Sequence, residues 1–549
     1  MVGKTARDTL AAARRLADAA TGAVERAIEA VAKLTDGGKA IDDQQVRAER
    51  IAQRATEARA ARELVAYGER RASAGRPDEL AQAQALAYAA EVAHALRGEA
   101  EADPAAFPPD PALDEAELRD LVRAGLAEAH VRSIGERVLA ARGAHGTELD
   151  DPVATLTRDS ARDFAKTEVV PIAQEMHRQD HLVPEALIQK MAGLGLFGSS
   201  VPESHGGTEM GYLTMVVLTE ELAAASLVAG SLITRSEILT RALVQGGTEE
   251  QRQLWLPRIA SGELIVGICV TEPDVGSDVA SVQCRATRGD LDGREGWLID
   301  GAKAWSTFAG RANILALLAR TDAGAGVRGL SLFIVEKDPF DGHHFQQSQP
   351  GGGSITGTAN PTPGYRGMHS FTLAFDRYFV PAENLVGGGE GLNRGFYLQM
   401  GGFAAGRLQT GGRATGVGQA SLEKACAYAL DRRQFDRPIA EYQLTQHKIG
   451  RMATHVAAGR HLTYAAARDM AEDESASGGM APAMCKLFAS DVAVWVSQEA
   501  QLIHGGWGYS EEDPVARYVV DALVLPIFEG VKPILELKII ARQLLAGGA

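Results

Sequence analysis

Between about residues 5 and 98, apolar positions recur every three or four residues in a background of Ala, Leu, Glu and Arg. That period predicts amphipathic helices, broken at Gly37-Gly38 and at Ala74-Gly75-Arg76-Pro77. Four prolines between Glu101 and Pro111 read as a linker. Two more helical stretches follow, Asp114–Glu128 and His130–Arg142. Gly143-Ala144-His145-Gly146 then loosens the chain and places a boundary near residue 147. The helical period returns from about 150 to 265, with Asp151-Pro152 opening a helix and Pro184 and Pro202 marking turns. From Leu264 to about 385 the runs shorten. Ile265–Val270, Ile314–Leu318 and Leu330–Val335 are apolar, bounded by Gly and Asp, and strand-like. The Gly/Pro/Thr-rich stretch Gln349–Gly364 reads as a long loop, either a tolerated surface insertion or a lid. Residues 390 to 545 return to long helical periods. The order helix, strand, helix predicts an α+β fold. Its expected parts are an N-terminal helical extension (1–147), a helical domain (148–264), a β-domain (265–388) and a C-terminal helical bundle (389–549).

A chain of 549 residues is too long for one ordinary core, which agrees with several domains. No apolar run reaches the roughly 18 residues of a membrane-spanning helix. The formal charge of -15 speaks against a nucleic-acid partner, which needs a clustered basic surface. Cys269, Cys284, Cys426 and Cys485 lack CxxC spacing, so buried packing thiols are expected rather than a zinc site or disulfides. The first residues lack the apolar core of a secretory signal. They are Arg- and Ala-rich like a transit peptide, but Asp8, Asp18, Glu25 and Glu29 interrupt them. A cytoplasmic location is the expectation.

Candidate chemistry centres on Glu529, within Leu525-Pro526-Ile527-Phe528-Glu529-Gly530. A carboxylate in a dry pocket has its pKa raised towards neutrality and can remove the weakly acidic proton beside a thioester carbonyl. Alone, such a residue is more often solvated at a helix end. Its weight comes from the motifs upstream: Thr271-Glu272-Pro273-Asp274-Val275-Gly276-Ser277-Asp278, Lys303-Ala304-Trp305-Ser306-Thr307, Tyr428–Phe435 and His504-Gly505-Gly506-Trp507-Gly508-Tyr509. With these motifs in this order, residues 150 to 549 resemble the acyl-CoA dehydrogenase family.

The resemblance implies a helical domain, a mid-chain β-barrel and a four-helix bundle, with the first 147 residues outside the match. It implies one non-covalent FAD per subunit. Glu529 would take the α-proton while a hydride leaves the β-carbon for flavin N5. The family's other base position falls on Gly406, before Arg407, which leaves Glu529. By the same resemblance Thr271 faces the flavin pyrimidine, and Ser277 lies where the FAD pyrophosphate and the CoA arm approach. Trp305 covers the ring, and Thr307 offers a hydroxyl near N5. Arg432 is implied to bind the pyrophosphate of an FAD held by a neighbouring subunit, a role suited to a planar guanidinium. Gln443 follows at the family's spacing. Gly505 and Gly506 let the backbone approach the cofactor, and His504 packs or hydrogen-bonds. Arg407 and Gly530 join Ser277 as substrate contacts. The expected substrate is a short branched acyl-CoA bearing a free carboxylate, which needs a cation when buried. Arg235, in a helix that by rough alignment borders the acyl pocket, is the first candidate, with a solvated helix arginine as the alternative. Arg241 is the second. A homodimer or homotetramer, and an electron-transferring flavoprotein as electron acceptor, are also implied.

The chain departs from the family at Asp436, Leu502 (with Gln501 one step off), Val531, Pro533 and Ala404. These positions bear on adenosine and CoA docking rather than on flavin use. Other readings are a dehydrogenase for another short branched or dicarboxylic thioester, and a flavin oxidase or monooxygenase. A DNA-binding flavoprotein of the alkylation-response type would need a basic surface that this acidic chain lacks.

Overall fold

The computed structural model describes residues 2–472 and 479–547. The chain forms two compact units, one from the residues up to Arg158 together with those from Thr410 onward, the other from Asp159 to Gln409. Among the described residues no helix is long and apolar enough to cross a membrane.

The first unit is helical. It opens with α1 (Val2–Leu34), α2 (Gln45–Ser73), α3 (Glu79–Ala102), α4 (Pro111–Asp114), α5 (Ala116–Leu126) and α6 (Glu128–Ala140). The stripe Leu16, Ala20, Val24, Ala27 and Val31 buries one face of α1, as its three-and-four spacing demands. The turn around Gly37-Gly38 ends that helix. Asp78 caps α3 by accepting from the backbone N–H of Ala81 at 3.0 Å. α7 (Pro152–Phe164) leads out of this unit.

The second unit carries α8 (Val170–Arg178), α9 (Glu185–Gly193), α10 (Tyr212–Ala225), α11 (Leu227–Leu232), α12 (Glu237–Gly246) and α13 (Glu249–Ala260). An eight-stranded sheet follows: β1 (Val266–Cys269), β2 (Arg285–Leu291), β3 (Arg294–Thr307), β4 (Ile314–Arg320), β5 (Leu330–Glu336), β6 (His344–Ser348), β7 (Ser354–Ala359) and β8 (Ser370–Pro381). Its order is β1-β4-β2-β3-β8-β7-β6, with β5 on β4. β1 runs parallel to β4, while the β3, β8, β7 and β6 ladders are antiparallel. One face buries Trp297, Phe333, Phe371, Phe375 and Tyr378. Another cluster joins Trp255, Leu256 and Ile259 of α13 to Val266, Ile314 and Ile334 of the strands.

The stretch Gln349–Gly364 is not the continuous loop expected. Ser354–Ala359 is β7, paired on both sides, with Ile355 opposite Phe375 in β8 and Gln347 in β6. Its buried apolar residue is enough to hold it in the sheet, while the glycines before it make the β6–β7 turn.

α14 (Gly388–Gly391) precedes the long α15 (Gly395–Asp431), which leads back to the first unit. There a small ribbon, β9 (Arg433–Gln434) with β10 (Arg437–Pro438), precedes α16 (Gln443–Glu472) and α17 (Met480–His504). α18 (Pro514–Ala522), α19 (Lys532–Ile534), a π-helical turn (Leu535–Ala541) and α20 (Arg542–Gly547) close the chain.

Within this unit the N-terminal helices lie on the C-terminal bundle. α6 crosses α16 at paired glycines. A Cβ on Gly135 would meet the carbonyl oxygen of Gln446, and one on Gly450 the carbonyl oxygen of Val131, so the two backbones touch directly. Glu91 of α3 pairs with His455 at 3.1 Å and Arg451 at 3.3 Å on α16. Gln53 donates to Glu536 at 3.2 Å, and Lys538 pairs with Asp42 at 2.8 Å.

Candidate active site

In the sheet-bearing unit the candidate residues gather where β1 ends and β3 bulges. Thr271 follows β1 and is partly buried; its carbonyl accepts the N–H of Ala304 at 2.8 Å. The next residue, Glu272, is buried. Its carboxylate accepts the backbone N–H groups of Gln283 and Cys284, each at 2.8 Å, and the ammonium of Lys303 at 2.9 Å. Lys303 is fully buried and also donates to the Val270 carbonyl at 2.9 Å. A buried charge is tolerable only when it is paired and hydrogen-bonded. Here the pair fastens both ends of the loop 271–284 to β3. Ser277 is exposed on that loop.

Past Lys303 the β3–β8 register shifts, and regular pairing resumes at Ser306↔Phe371 and Thr307↔Ser370. Trp305 lies inside this bulge with φ 56°, a left-handed conformation that costs a non-glycine residue about 1–3 kcal/mol. The strain re-aims its indole, which is 56% exposed. Thr307 returns to the ladder, its Oγ1 3.1 Å from the Ser370 hydroxyl.

Arg235 is not in a helix. It occupies the turn between α11 and α12, because the helical run of α11 ends at Leu232 and resumes only at Glu237. It is 7% exposed, which removes the solvated-arginine alternative. Its guanidinium donates to the Ser231 carbonyl at 3.2 Å and the Thr234 hydroxyl at 3.4 Å. Arg241 is committed to the buried carboxylate of Glu237 at 2.9 Å, which Gln409 also approaches at 3.4 Å. Arg407 of α15 is partly buried, with its guanidinium 5.8 Å from the Phe403 ring centroid.

In the helical unit, Arg432, Gly505 and Gly506 line one cavity of about 580 Å³, together with Tyr428, Gln434 and Trp507. Gly505 ends α17 at φ 60°, and a side chain on either glycine would meet no atom within 4 Å, so this wall is bare backbone. His504 holds the wall in place: its Nδ1 bonds the Ala500 carbonyl at 2.7 Å and its ring stacks on Tyr428 at 4.3 Å. Gln501, one step off the family position, donates to the Gly508 carbonyl at 3.0 Å. Gln443 opens α16 and is exposed, outside the residues that line the cavity.

Glu529 stands in the turn between α18 and α19, partly buried, at φ 54°, with Gly530 at φ 102°. The turn closes with the N–H of Lys532 on the Pro526 carbonyl at 3.1 Å. Two buried cations support it. Lys486 of α17 donates to the Gly530 carbonyl at 2.7 Å, and the guanidinium of Arg413 of α15 lies 4.8 Å from the Phe528 ring centroid. Lys532 pairs with Asp491 at 2.6 Å. Sequence reasoning gave no role to Glu272, Lys303, Arg413 or Lys486. The available signal was a charge within an otherwise apolar helix face, as at Cys485-Lys486-Leu487-Phe488.

All four cysteines are buried, as expected. Burial pushes the Cys269 thiol up to about 11 and those of Cys284, Cys426 and Cys485 to about 12, so none is a ready thiolate. The sheet-bearing unit offers an exposed indole beside strand hydroxyls, and the helical unit, taken by itself, a glycine-walled cavity with an arginine and a carboxylate in a strained turn. These are the kinds of group that flavin binding and proton abstraction call for.

Comparison with known proteins identifies the family. Residues 152–263, 267–378 and 393–545 match the N-terminal, middle and C-terminal domains of acyl-CoA dehydrogenase. The chain is 39% identical to a (2S)-methylsuccinyl-CoA dehydrogenase of Cereibacter sphaeroides over 74% of its own length and 72% of that protein. It superposes on glutaryl-coenzyme A dehydrogenase in complex with glutaryl-CoA with a TM-score of 0.65 and 30% identity, covering 73% of this chain and 97% of that one. A structure described as an electron transferring flavoprotein of Acidaminococcus fermentans gives a TM-score of 0.63 and 29% identity, covering 73% and 98%. The chain belongs to the acyl-CoA dehydrogenase family and is an FAD-dependent acyl-CoA dehydrogenase.

Proposed function

We propose that the enzyme oxidises a short branched acyl-CoA carrying a second carboxylate, with (2S)-methylsuccinyl-CoA to mesaconyl-CoA the reaction it fits best. The burial of Arg235 carries the substrate class: an internal guanidinium is the group that an internal substrate carboxylate needs. The likeness to a methylsuccinyl-CoA dehydrogenase and to a glutaryl-CoA complex supports the same class.

In this reading Glu529 is the base and accepts the α-proton on its carboxylate. Thr271, Trp305 and Thr307 hold the isoalloxazine end of FAD, and Ser277 lies where its pyrophosphate and the CoA arm approach. Arg432, Gln443, Gly505 and Gly506 hold the dinucleotide part of an FAD bound to a second copy, which makes the enzyme at least a homodimer. The exposed Phe435, Trp507 and Tyr509 near that cavity support such a contact. Ser277, Arg407 and Gly530 meet the CoA thioester. Bound FAD supplies the hydride acceptor for the β-carbon. An electron-transferring flavoprotein is the proposed electron acceptor, in line with the structural likeness above.

The test is a panel of acyl-CoAs with an artificial electron acceptor. Methylsuccinyl-CoA should exceed 2-methylbutyryl-CoA and isobutyryl-CoA at least roughly tenfold in kcat/KM. Equal use of charged and uncharged acyl groups would refute the dicarboxylate reading. Anaerobic bleaching of the flavin by the acyl-CoA, compared with turnover in air, separates a dehydrogenase from an oxidase.

A further inference from the structure

Histidines that have no role above collect at one corner of the sheet-bearing unit. His343 stands one residue before β6, His369 one residue before β8, and Asp180 two residues after α8 in a left-handed turn at φ 54°. Their ligand atoms all lie within 4.8 Å of one another, a grouping that no other residues form among those described. The Nε2 of His369 is 3.0 Å from Asp180 Oδ1, and the Nε2 of His343 is 4.0 Å from Asp180 Oδ2. The two imidazole rings lie 4.5 Å apart.

Two imidazoles and one carboxylate are the donor set of zinc-class ions. Around a tetrahedral ion with bonds of about 2.0–2.1 Å, ligand atoms sit about 3.3 Å apart. The three ligand atoms lie within 4.8 Å of one another, so gathering them around one ion needs shifts of roughly 1–1.5 Å. The His343 side chain is 49% exposed and Asp180 42%, while His369 is 3% exposed; the His343 Nε2 faces the Asp180 backbone carbonyl at 3.0 Å and must turn from it to take an ion. The open side gives an entry path and room for water as a further ligand.

Two features limit the affinity. Arg366 lies 3.4 Å from Asp180 Oδ1 and opposes a second cation there. It is tethered to the carbonyls of Thr362 at 3.1 Å and His177 at 3.3 Å, so Oδ2, on the His343 side, is the oxygen left for an ion. The second nitrogen of His369, Nδ1, is buried without the hydrogen-bond acceptor that metal-binding imidazoles usually have, a lack that typically lowers affinity 10–100-fold.

We propose that Asp180, His343 and His369 form a binding site for one divalent ion of the zinc class, of moderate affinity and structural rather than catalytic. The ion would tie the end of α8 to the entries of β6 and β8. The His369 carbonyl accepts the N–H of Phe308 at 2.8 Å, and Ser370 meets the Thr307 hydroxyl at 3.1 Å. Occupancy would therefore stiffen the strand pair that carries Trp305.

The test uses the purified FAD-loaded enzyme, stripped with EDTA, desalted and titrated with Zn²⁺ by calorimetry, with Co²⁺ absorption as a second probe. The expected result is one ion per chain, a raised melting temperature, and affinity at least tenfold weaker in His343→Asn. That substitution is at an exposed position and should leave flavin content and activity without added metal unchanged. His369→Asn should abolish binding, with its flavin spectrum confirming a folded protein. The proposal fails if the parent binds no ion, or if His343→Asn binds Zn²⁺ as tightly as the parent, which would place any binding on other histidines among the 13 in the chain.

Discussion

The Trp305 bulge in the sheet and the Glu529 turn in the bundle use the same device. Each puts a key side chain on a non-glycine residue in the left-handed region, at φ 56° and φ 54°. They are held differently. The bulge is bounded by regular pairing on both sides, and an internal ion pair, Lys303–Glu272, bolts it to the loop behind. The turn has no ladder. It hangs between two short helices and is fixed at its carbonyl by Lys486 and at its ring by Arg413. A flat face for a cofactor needs a rigid plane, which a sheet supplies. The proposed base needs one atom in one place, which two point contacts can supply. Loss of support should therefore unseat the fold and cofactor in the first region, and mainly slow the chemistry in the second.

Glu529→Gln makes the largest difference. The amide keeps the size and polarity of the side chain but cannot take the α-proton. The expected loss is on the order of 10²–10⁴ in kcat, with flavin content unchanged. Stopped-flow bleaching of the flavin by acyl-CoA reads it directly, and turnover within a few-fold of the parent would move the base elsewhere. Lys303→Met comes next and breaks the other region. It leaves the Glu272 carboxylate buried without its cation, a change that costs about 3–5 kcal/mol. Lower melting temperature and loss of FAD on gel filtration are expected together. A stable variant retaining FAD would show that the bulge does not depend on the pair. Lys486→Met is the contrasting probe. It should lower kcat by up to about 10²-fold, the scale of a misplacement of about 1 Å at the reacting group, at near-normal flavin content. Loss of FAD comparable to that of Lys303→Met would erase the distinction between the two regions. Arg235→Met should be smaller still for uncharged substrates. It should narrow the preference for methylsuccinyl-CoA over isobutyryl-CoA while leaving kcat/KM for the latter within a few-fold.

Much of this was legible in the sequence, and what was not shares a cause. The three-and-four period gave α1 to α3 and their breaks, and the short apolar runs gave β1, β4 and β5, because each period is local. The motifs singled out Trp305, Thr307 and Glu529 as candidates, but not the strained backbone that carries two of them. β7 was hidden by its Gly- and Pro-rich surroundings, since pairing with β6 and β8 rather than composition makes it a strand. For Lys486 the apolar face around it was a signal, but Lys303, Glu272 and Arg413 were present only as letters, because their burial is a tertiary property. Arg235 was assigned to a helix because the pattern around it is helical, whereas the chain turns there. The amphipathic stripes of the N-terminal extension required a covering surface without naming it. The surface is supplied by α16 and the C-terminal turns.

That last contact gives the smallest prediction, and it separates the extension from both functional regions. Burial alone would raise the Glu91 carboxyl, but the charge and hydrogen bond of His455, reinforced by Arg451, outweigh it and lower it to about 2. A carboxylate depressed in the folded state contributes stability above its unfolded value near 4.5. That contribution fades as pH falls from there towards about 2. The Glu91 side chain is 36% exposed, so solvent screens the pair, and a contribution of about 0.2–1 kcal/mol is the right scale. Glu91→Gln should therefore lower the melting temperature slightly at pH 7, and the difference from the parent should shrink as pH approaches 2. Limited proteolysis of α1 to α3 should quicken in the variant at pH 7, while kcat and flavin content stay at parental values, since Glu91 touches neither the bulge nor the base turn. A fall in activity to match the loosened extension would mean that the first 147 residues support the catalytic turn and are not only a cover for the bundle.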